Sequence, residues 1–310
     1  MLPLEPAAAK AARRIHSAAD LSVRYLAEPR LRPTALPIGT WWWDGKQNFG
    51  DRLTDFLLPN YGIAPYHASR KHARLFGVGS TVDATYPDYS GYFWGTGKYM
   101  ESDATHRKRA TFLAVRGPLT RDLLDLPAST PLGDPGLLVS KHVARITRRD
   151  LVGIVPHFTH WDSPEVRNLV SRLGKSIHVI DVRRPTVQVV REISACSVII
   201  ATSLHGLITA DAYDIPAMWA MPDPVLTGGD FKFRDYEAVV TPSRDRQHLL
   251  ATVRNMDDAW ENSATVSREA VRTAQDALEA ALQLLLSRES LRASPYQLPW
   301  HVATGLIRQW

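Results

Sequence analysis

The segment Ser197-Val-Ile-Ile-Ala-Thr-Ser-Leu-His-Gly-Leu-Ile-Thr-Ala210 holds the residues best suited to chemistry. An apolar run passes through Thr202-Ser203-Leu204 and enters a helical stretch at His205-Gly206. Backbone N–H groups at such a corner point beyond the strand end, where an anion is stabilised. Ser203, Leu204 and Gly206 make up that anion-facing turn. His205 stands where it can move a proton near neutral pH. Most lone histidines are structural, but the small and hydroxyl neighbours here favour a working one.

Other segments place polar groups just after apolar runs. In Asn48-Phe-Gly-Asp51, Gly50 lets a ligand approach the backbone. Asn48 both donates and accepts, and Asp51 takes up a hydroxyl proton or caps the next helix. A capped turn without a ligand is the plain alternative. Trp41-Trp42-Trp43 reads as core, with an aromatic face for a sugar as the other reading. In Gly77-Val-Gly-Ser80, Gly79 and Ser80 suit a bound anion, although a lone G-x-G is weak evidence. Arg116 lies between a strand and a helix opened by Pro118. A fixed cation beside the positive end of a helix suits phosphate or carboxylate. Its alternative is a pair with an acid such as Asp134. Phe231-Lys-Phe-Arg-Asp-Tyr236 reads as a basic loop after Gly228-Gly229, from which Lys232 reaches an anion. His157 ends Gly153-Ile-Val-Pro-His157 and adds a polar group from the second half of the chain. His157, His160 and Asp162 match no metal spacing, so no metal is assigned.

These residues need strands and helices to hold them. Leu36–Trp43, Leu75–Val78, Tyr92–Trp94 and Thr111–Val115 read as strands, with helices from Asp51 to Leu58 and after Arg116. The pattern restarts after the basic stretch Lys141–Arg149. Strands follow at Leu151–Val155, His178–Ile180, Ser197–Ala201 and Ala217–Trp219, between helices at Glu165–Leu173, Val187–Ser194 and His205–Tyr213. Ser263–Arg288 is a long helical segment. Alternating strands and helices imply parallel sheets covered on both faces. Two rounds imply two doubly wound domains, over residues 31–144 and 145–290. Ligands then sit beyond the carboxyl ends of the strands.

The 310 residues, 45% hydrophobic and 22% charged, are those of an ordinary globular protein. The net charge of +5 fits an anionic small molecule or membrane surface, and no dense basic block supports nucleic-acid binding. The single cysteine, Cys196, excludes an internal disulfide and a thiolate metal site. No apolar stretch is long enough to span a bilayer. Residues 1–30 read as an amphipathic helix packed on the body, with peripheral membrane contact or partner docking as the alternative. The apolar tail, residues 291–310, is expected to pack back on the body. A cytoplasmic location follows, at most peripheral to the inner membrane.

The order Asn48-x-Gly-Asp51, Gly77-Val-Gly-Ser80, Val115-Arg-Gly-Pro-Leu-Thr, Gly133-Asp-Pro-Gly, Gly153-Ile-Val-Pro-His157, Ser203-Leu-His-Gly206 and Ala212-Tyr-Asp-Ile-Pro216 resembles the polysaccharide pyruvyl transferase family. The resemblance implies two Rossmann-like domains facing across a cleft, as in GT-B glycosyltransferases, with acceptor on the first domain and donor on the second. It implies an enzyme that moves the pyruvyl unit of phosphoenolpyruvate to a saccharide, free or lipid-linked, as a ketal. No cofactor is implied. His205 would be the general acid, Arg116 a donor ligand and Asp51 a base for the acceptor. Asn48, Gly50, Gly79, Ser80 and His157 would face the acceptor, and Ser203, Leu204, Gly206 and Lys232 the donor. Ser203 stands where some relatives carry a cation, which leaves donor charge to be met elsewhere, as by Lys232. The rival readings are a GT-B nucleotide-sugar glycosyltransferase and a non-catalytic sugar-binding component of a polysaccharide assembly complex.

Overall fold

The computed structural model describes residues 27–31, 34–101 and 109–292. Nearly all of the helix expected over residues 1–30, and the tail beyond Arg292, lie outside the described residues.

Two parallel sheets organise the chain. The first contains β1 (Leu36–Trp41), β2 (Ile63–His67), β3 (Leu75–Phe76), β4 (Tyr92–Thr96) and β5 (Thr111–Val115), in the order β2-β1-β3-β4-β5. The second contains β6 (Val152–Val155), β7 (Ile177–Val179), β8 (Val198–Ala201) and β9 (Ala217–Trp219), in the order β7-β6-β8-β9. Every residue of β6 and β8 is buried, as expected of strands covered on both faces. Val155 pairs with Ala201, so β6 and β8 end level and their following loops emerge side by side. Trp41 likewise pairs with Phe76, which brings the loops after β1 and β3 together.

The helices are α1 (Leu53–Leu57), α2 (Pro118–Leu123), α3 (Val139–His142), α4 (Pro164–Leu173), α5 (Thr186–Ala195), α6 (Leu204–Ala212), α7 (Phe231–Val240), α8 (Met256–Glu261) and α9 (Arg268–Arg292). Local chemistry sets many of their ends. Ser163 Oγ accepts from the N–H of Val166, Pro164 follows it, and Gly174 closes α4. Asn255 caps α8 in the same manner. Pro118 opens α2, as its sequence predicts.

One hydrophobic cluster runs from the first sheet to the second. It joins Ile38, Leu53 and Leu113 to Val155, Ile193, Leu207 and Ile208, with Leu137 and Leu138 of the short 3₁₀ turn Pro135–Leu138 between them. Fully burying each such side chain stabilises by roughly 1.5–3 kcal/mol. The strand-end loops of the two sheets therefore sit across from each other on a shared core.

Four expectations change. β2 has no sequence-predicted counterpart, because Pro65 interrupts its apolar pattern; as an edge strand of the sheet it tolerates a missing N–H. Phe231–Tyr236 is not a loop but the start of α7. Asp51 does not cap α1, whose N-cap is Arg52 with no side-chain bond. The last part of the segment 145–290 also crosses over. Within α9, Leu278 O accepts from Trp94 Nε1 of β4 at 3.0 Å, and Glu289 Oε1 accepts from Tyr92 Oη at 2.8 Å. Gln275 Nε2 donates to Leu137 O at 2.8 Å. The apolar face of α9 thus packs on the first sheet although its sequence follows the second.

Gly117 marks where α2 meets α7. A Cβ there would lie 1.8 Å from the backbone oxygen of Asp235, which no side-chain rotation relieves. Gly117→Ala forces the two helices apart, with an expected loss of roughly 1–3 kcal/mol in urea unfolding. An unchanged midpoint would show that this contact is absent in solution.

Candidate active site

The facing loops enclose a cavity of about 640 Å³. From the first sheet come Asn48 and Asp51 after β1, and Gly79 and Ser80 after β3. From the second come His157 after β6, Ser203, Leu204 and His205 at the start of α6, and Lys232 in the first turn of α7. Nine of the twelve sequence-predicted residues line one space. The other three stand behind it. A Cβ on Gly50 would lie 2.1 Å from His205 Nδ1, so only glycine admits the ring there. Gly206 lets α6 pack on Val155, 2.6 Å from such a Cβ.

Arg116 is the third. It is fully buried and does not line the cavity. Its Nε donates to Asp235 Oδ2 at 3.0 Å, Nη1 to Ser80 Oγ at 2.7 Å and Nη2 to Lys98 O at 2.7 Å. The guanidinium therefore fixes the Ser80 hydroxyl at the cavity wall and adds positive potential from behind. Its acid is Asp235, not Asp134.

A buried cation that does line the cavity is Lys232, 9% exposed, with Arg70 also on the lining. Among the described residues its ammonium makes no hydrogen bond or ion pair; it lies 5.6 Å from the Phe233 ring centroid. Burial lowers its pKa to about 8, helped by Arg116 and opposed by Asp51. Beside it, the first N–H groups of α6 have no intrahelical partner, and Ser203 offers no side-chain cap. The pairing of a free ammonium with open helix N–H groups is that of an anion site.

His205 sits between these groups, 8% exposed. Burial pushes its pKa down to about 3, reinforced by Lys232, Arg116 and His157. A ring with that pKa is neutral near physiological pH. His157 is lowered to about 3 by burial, Lys232 and His160. Asp51 moves the other way, to about 6, because burial outweighs the bond it accepts from Asn48 Nδ2 at 2.8 Å and the pull of Lys232. His160 is structural. Its Nδ1 and Thr202 Oγ1 are 2.9 Å apart, and its Nε2 lies 3.0 Å from Pro224 O. The carbonyl only accepts, so Nε2 carries the proton and Nδ1 receives the threonine hydroxyl.

Aromatic rings close one side. Trp43 stacks on Phe158 at 5.8 Å and 16°, joining the loop after β1 to the loop after β6, and Tyr99 and Trp41 also line the cavity. Two functional neighbours escape sequence reading. Asp134 faces His205, with Oδ2 and Nε2 3.8 Å apart, and Asp235 anchors Arg116. Asp134 shows in sequence as a turn residue and a candidate acid for Arg116, not as a neighbour of His205, and Asp235 only as one acid among basic neighbours; their partners are far away along the chain.

A family model for polysaccharide pyruvyl transferases matches residues 47–224, more than half of the chain. The chain belongs to that family. The match begins just before Asn48 and includes His205, whereas Lys232 and Asp235 on α7 lie beyond it. Among curated proteins, the succinoglycan biosynthesis protein ExoV of Rhizobium meliloti (strain 1021) is 27% identical over 219 residues, 63% of each chain. The uncharacterised protein L143 of Acanthamoeba polyphaga mimivirus is 30% identical over 132 residues, 41% of this chain and 45% of its own. The chain thus spans less than two thirds of the length of either relative. Among solved structures, the wall teichoic acid polymerase TagF aligns with a TM-score of 0.41 and 9% identity, over 92% of this chain and 98% of that one. A likeness that loose assigns neither fold nor activity.

The charges of this family member predict how it binds a simple dianion. As pH rises, Asp51 gains charge near 6, Asp134 near 7, and Lys232 loses charge near 8. All three changes oppose an anion, so sulfate affinity, measured by calorimetry, falls steadily from pH 5 to pH 9. Lys232→Met weakens sulfate at pH 6 by roughly tenfold or more and removes the uppermost part of the fall. An affinity that is level across this range would place the anion elsewhere.

Proposed function

We propose that the chain transfers the pyruvyl unit of phosphoenolpyruvate to a saccharide, forming a pyruvate ketal and releasing phosphate. The observation that carries the proposal is the Lys232 ammonium, unpaired among the described residues, beside the open N-terminus of α6, with His205 at the same corner. Phosphoenolpyruvate carries a phosphate and a carboxylate, and these groups suit that cation and those N–H donors. Its methylene carbon must be protonated before C2 becomes electrophilic, and His205 is the acid within reach. A sugar hydroxyl then attacks C2, phosphate leaves, and a second hydroxyl closes the ketal.

Asp51, with its pKa of about 6, serves as base for the attacking hydroxyl near neutrality. Ser80 and Ser203 add hydroxyl donors to the anion, and the positive charge of Arg116 behind Ser80 offsets charge gathering on the departing phosphate. The stacked Trp43 and Phe158 offer the acceptor an apolar face. In this reading the second sheet with α6 and α7 is the donor half and the first sheet the acceptor half of a GT-B-like arrangement. Family membership and the likeness to a succinoglycan biosynthesis protein support a polysaccharide or its precursor as acceptor. Among the described residues no helix is long and apolar enough to cross a membrane. Action in the cytoplasm, on a free or lipid-linked acceptor, belongs to the same proposal.

Thermal unfolding with millimolar phosphoenolpyruvate, UDP-glucose or GDP-mannose tests the donor. Phosphoenolpyruvate is expected to raise the midpoint by several degrees, growing with concentration over its Kd. His205→Asn should keep that shift while phosphate release falls roughly 10²–10⁴-fold. A shift with a nucleotide sugar alone would replace this reading with glycosyl transfer. Unchanged turnover in His205→Asn would remove the histidine from the chemistry.

A further inference from the structure

His205 presents a difficulty to any general-acid role. Its ring is nearly enclosed, with Lys232 on α7, Arg116 after β5 and His157 after β6 all disfavouring positive charge on it. A second proton on this imidazole is unfavourable, so the ring needs another source for the proton it would give.

That source is visible behind it. Asp134 is completely buried in the turn before the Pro135–Leu138 helix. Its Oδ1 accepts from the N–H of Gly136 at 2.8 Å. Its Oδ2 has no hydrogen-bond partner among the described residues, and neither does His205 Nε2. These two buried orphan atoms face each other at 3.8 Å, about 1 Å beyond hydrogen-bond length. Buried polar atoms without partners are rare. Two facing each other at this distance mark a bond that a small turn of the ring completes in the free protein, and contacts of this kind commonly tighten further when substrate binds. The other ring nitrogen, Nδ1, lies over Gly50 and is the one left toward the cavity.

We infer that Asp134 and His205 form a proton relay in which a protonated Asp134 carboxyl, not an imidazolium, is the store of the proton. Burial raises Asp134 to about 7, outweighing the Gly136 N–H and Arg116, with Asp235 adding to the rise. The carboxyl and ring thus share one proton more than a carboxylate and neutral ring would hold. In the starting state Asp134 Oδ2–H donates to Nε2, and the ring proton is on Nδ1. Nδ1–H passes to the methylene carbon of the donor while Oδ2–H passes to Nε2. The ring stays neutral throughout, and Asp134 becomes a carboxylate that accepts from Nε2–H. Each ketal formed takes one proton onto carbon and frees two from the sugar hydroxyls. One of these returns through Nδ1 and Nε2 to Asp134, and the other leaves with phosphate.

The donor chemistry rests on the proposed transfer, but the relay has a signature in the ligand-free protein. In the ¹⁵N-labelled full chain, His205 should be neutral with its proton on Nδ1 at pH 5. It should switch to the Nε2–H tautomer as pH rises through neutrality, when Asp134 ionises. Asp134→Asn keeps the acceptor for Gly136 and an N–H for Nε2, but cannot release a proton. In this variant the tautomer switch disappears. Phosphate release from phosphoenolpyruvate falls at least a hundredfold with KM within a few-fold, and the remaining rate loses the part of the wild type's alkaline decline centred near pH 7, keeping that of Lys232 near 8. An imidazolium at pH 5, a wild-type ring without the switch, or a variant with kcat within tenfold would overturn the relay. Should Asp134→Asn fail to fold, the wild-type ring spectra alone decide. Absence of turnover in the wild type would sink the transfer reading, leaving the spectra to judge the relay.

Discussion

The buried pair of Arg116 and Asp235 holds the site together. Both side chains are wholly buried, and each guanidinium nitrogen and each carboxylate oxygen has a partner. Asp235 accepts from Arg116 Nε and from both the backbone N–H and the hydroxyl of Thr120. Arg116 in turn holds Ser80 and the carbonyl of Lys98. The pair therefore locks the start of α2 and the loops after β3 and β4 onto α7. Removing one partner from such a pair typically costs about 3–5 kcal/mol, because the other charge is left dry and alone. The residue three positions before Asp235 on the same helix is Lys232, so the bond that fastens α7 also delivers the cavity's ammonium.

A second buried network fastens α6 to α7. Arg246 donates to Asp211 at 2.7 Å and to Glu237 at 2.8 Å, while Tyr236 Oη donates to Asp211 at 2.9 Å and Trp219 Nε1 to Glu237 at 3.0 Å. Asp211 lies in the last turn of the helix whose first turn holds His205. Histidine and lysine thus ride on one rigid body, while Asn48, Asp51 and Ser80 come from the loops facing it. The site has one side with open helix N–H groups and a facing side whose Ser80 and Asp51 are held by Arg116 and Asn48. Fixed dipoles of this kind stabilise developing charge without reorganising when it appears.

Crowding cations around a buried histidine has a consequence for pH. The field that attracts an anion also expels a proton from His205, so anion binding and ring protonation are coupled. A dianion beside Lys232 would relieve part of that field. Nearby, burial holds protons on Asp51 and Asp134 at pH values where an exposed carboxyl has lost them. Groups with pKa values pushed apart inside one cavity are the pattern expected where protons are moved.

Local sequence determined the elements that carry the site. Val198–Ala201 and Ala217–Trp219 are legible because short apolar runs flanked by polar corners have few other ways to be buried, and Thr111–Val115 matches residue for residue. The corner at Ser203–Gly206 declares itself by the same logic. The tertiary structure alone decided the partners. Ile63–His67 joins the sheet only because an edge has room for Pro65. Lys232 belongs to a helix because Phe233, Tyr236 and Val240 find a core to pack against, which the run of mixed charges and aromatics conceals. Whether Arg116 meets a ligand or an acid depends on Asp235, 119 residues later, and whether His205 has a proton source depends on Asp134 across a turn. Charge–charge and hydrogen-bond pairing act over a few ångströms of space, and sequence spacing has no direct hold on that distance until the core has set it.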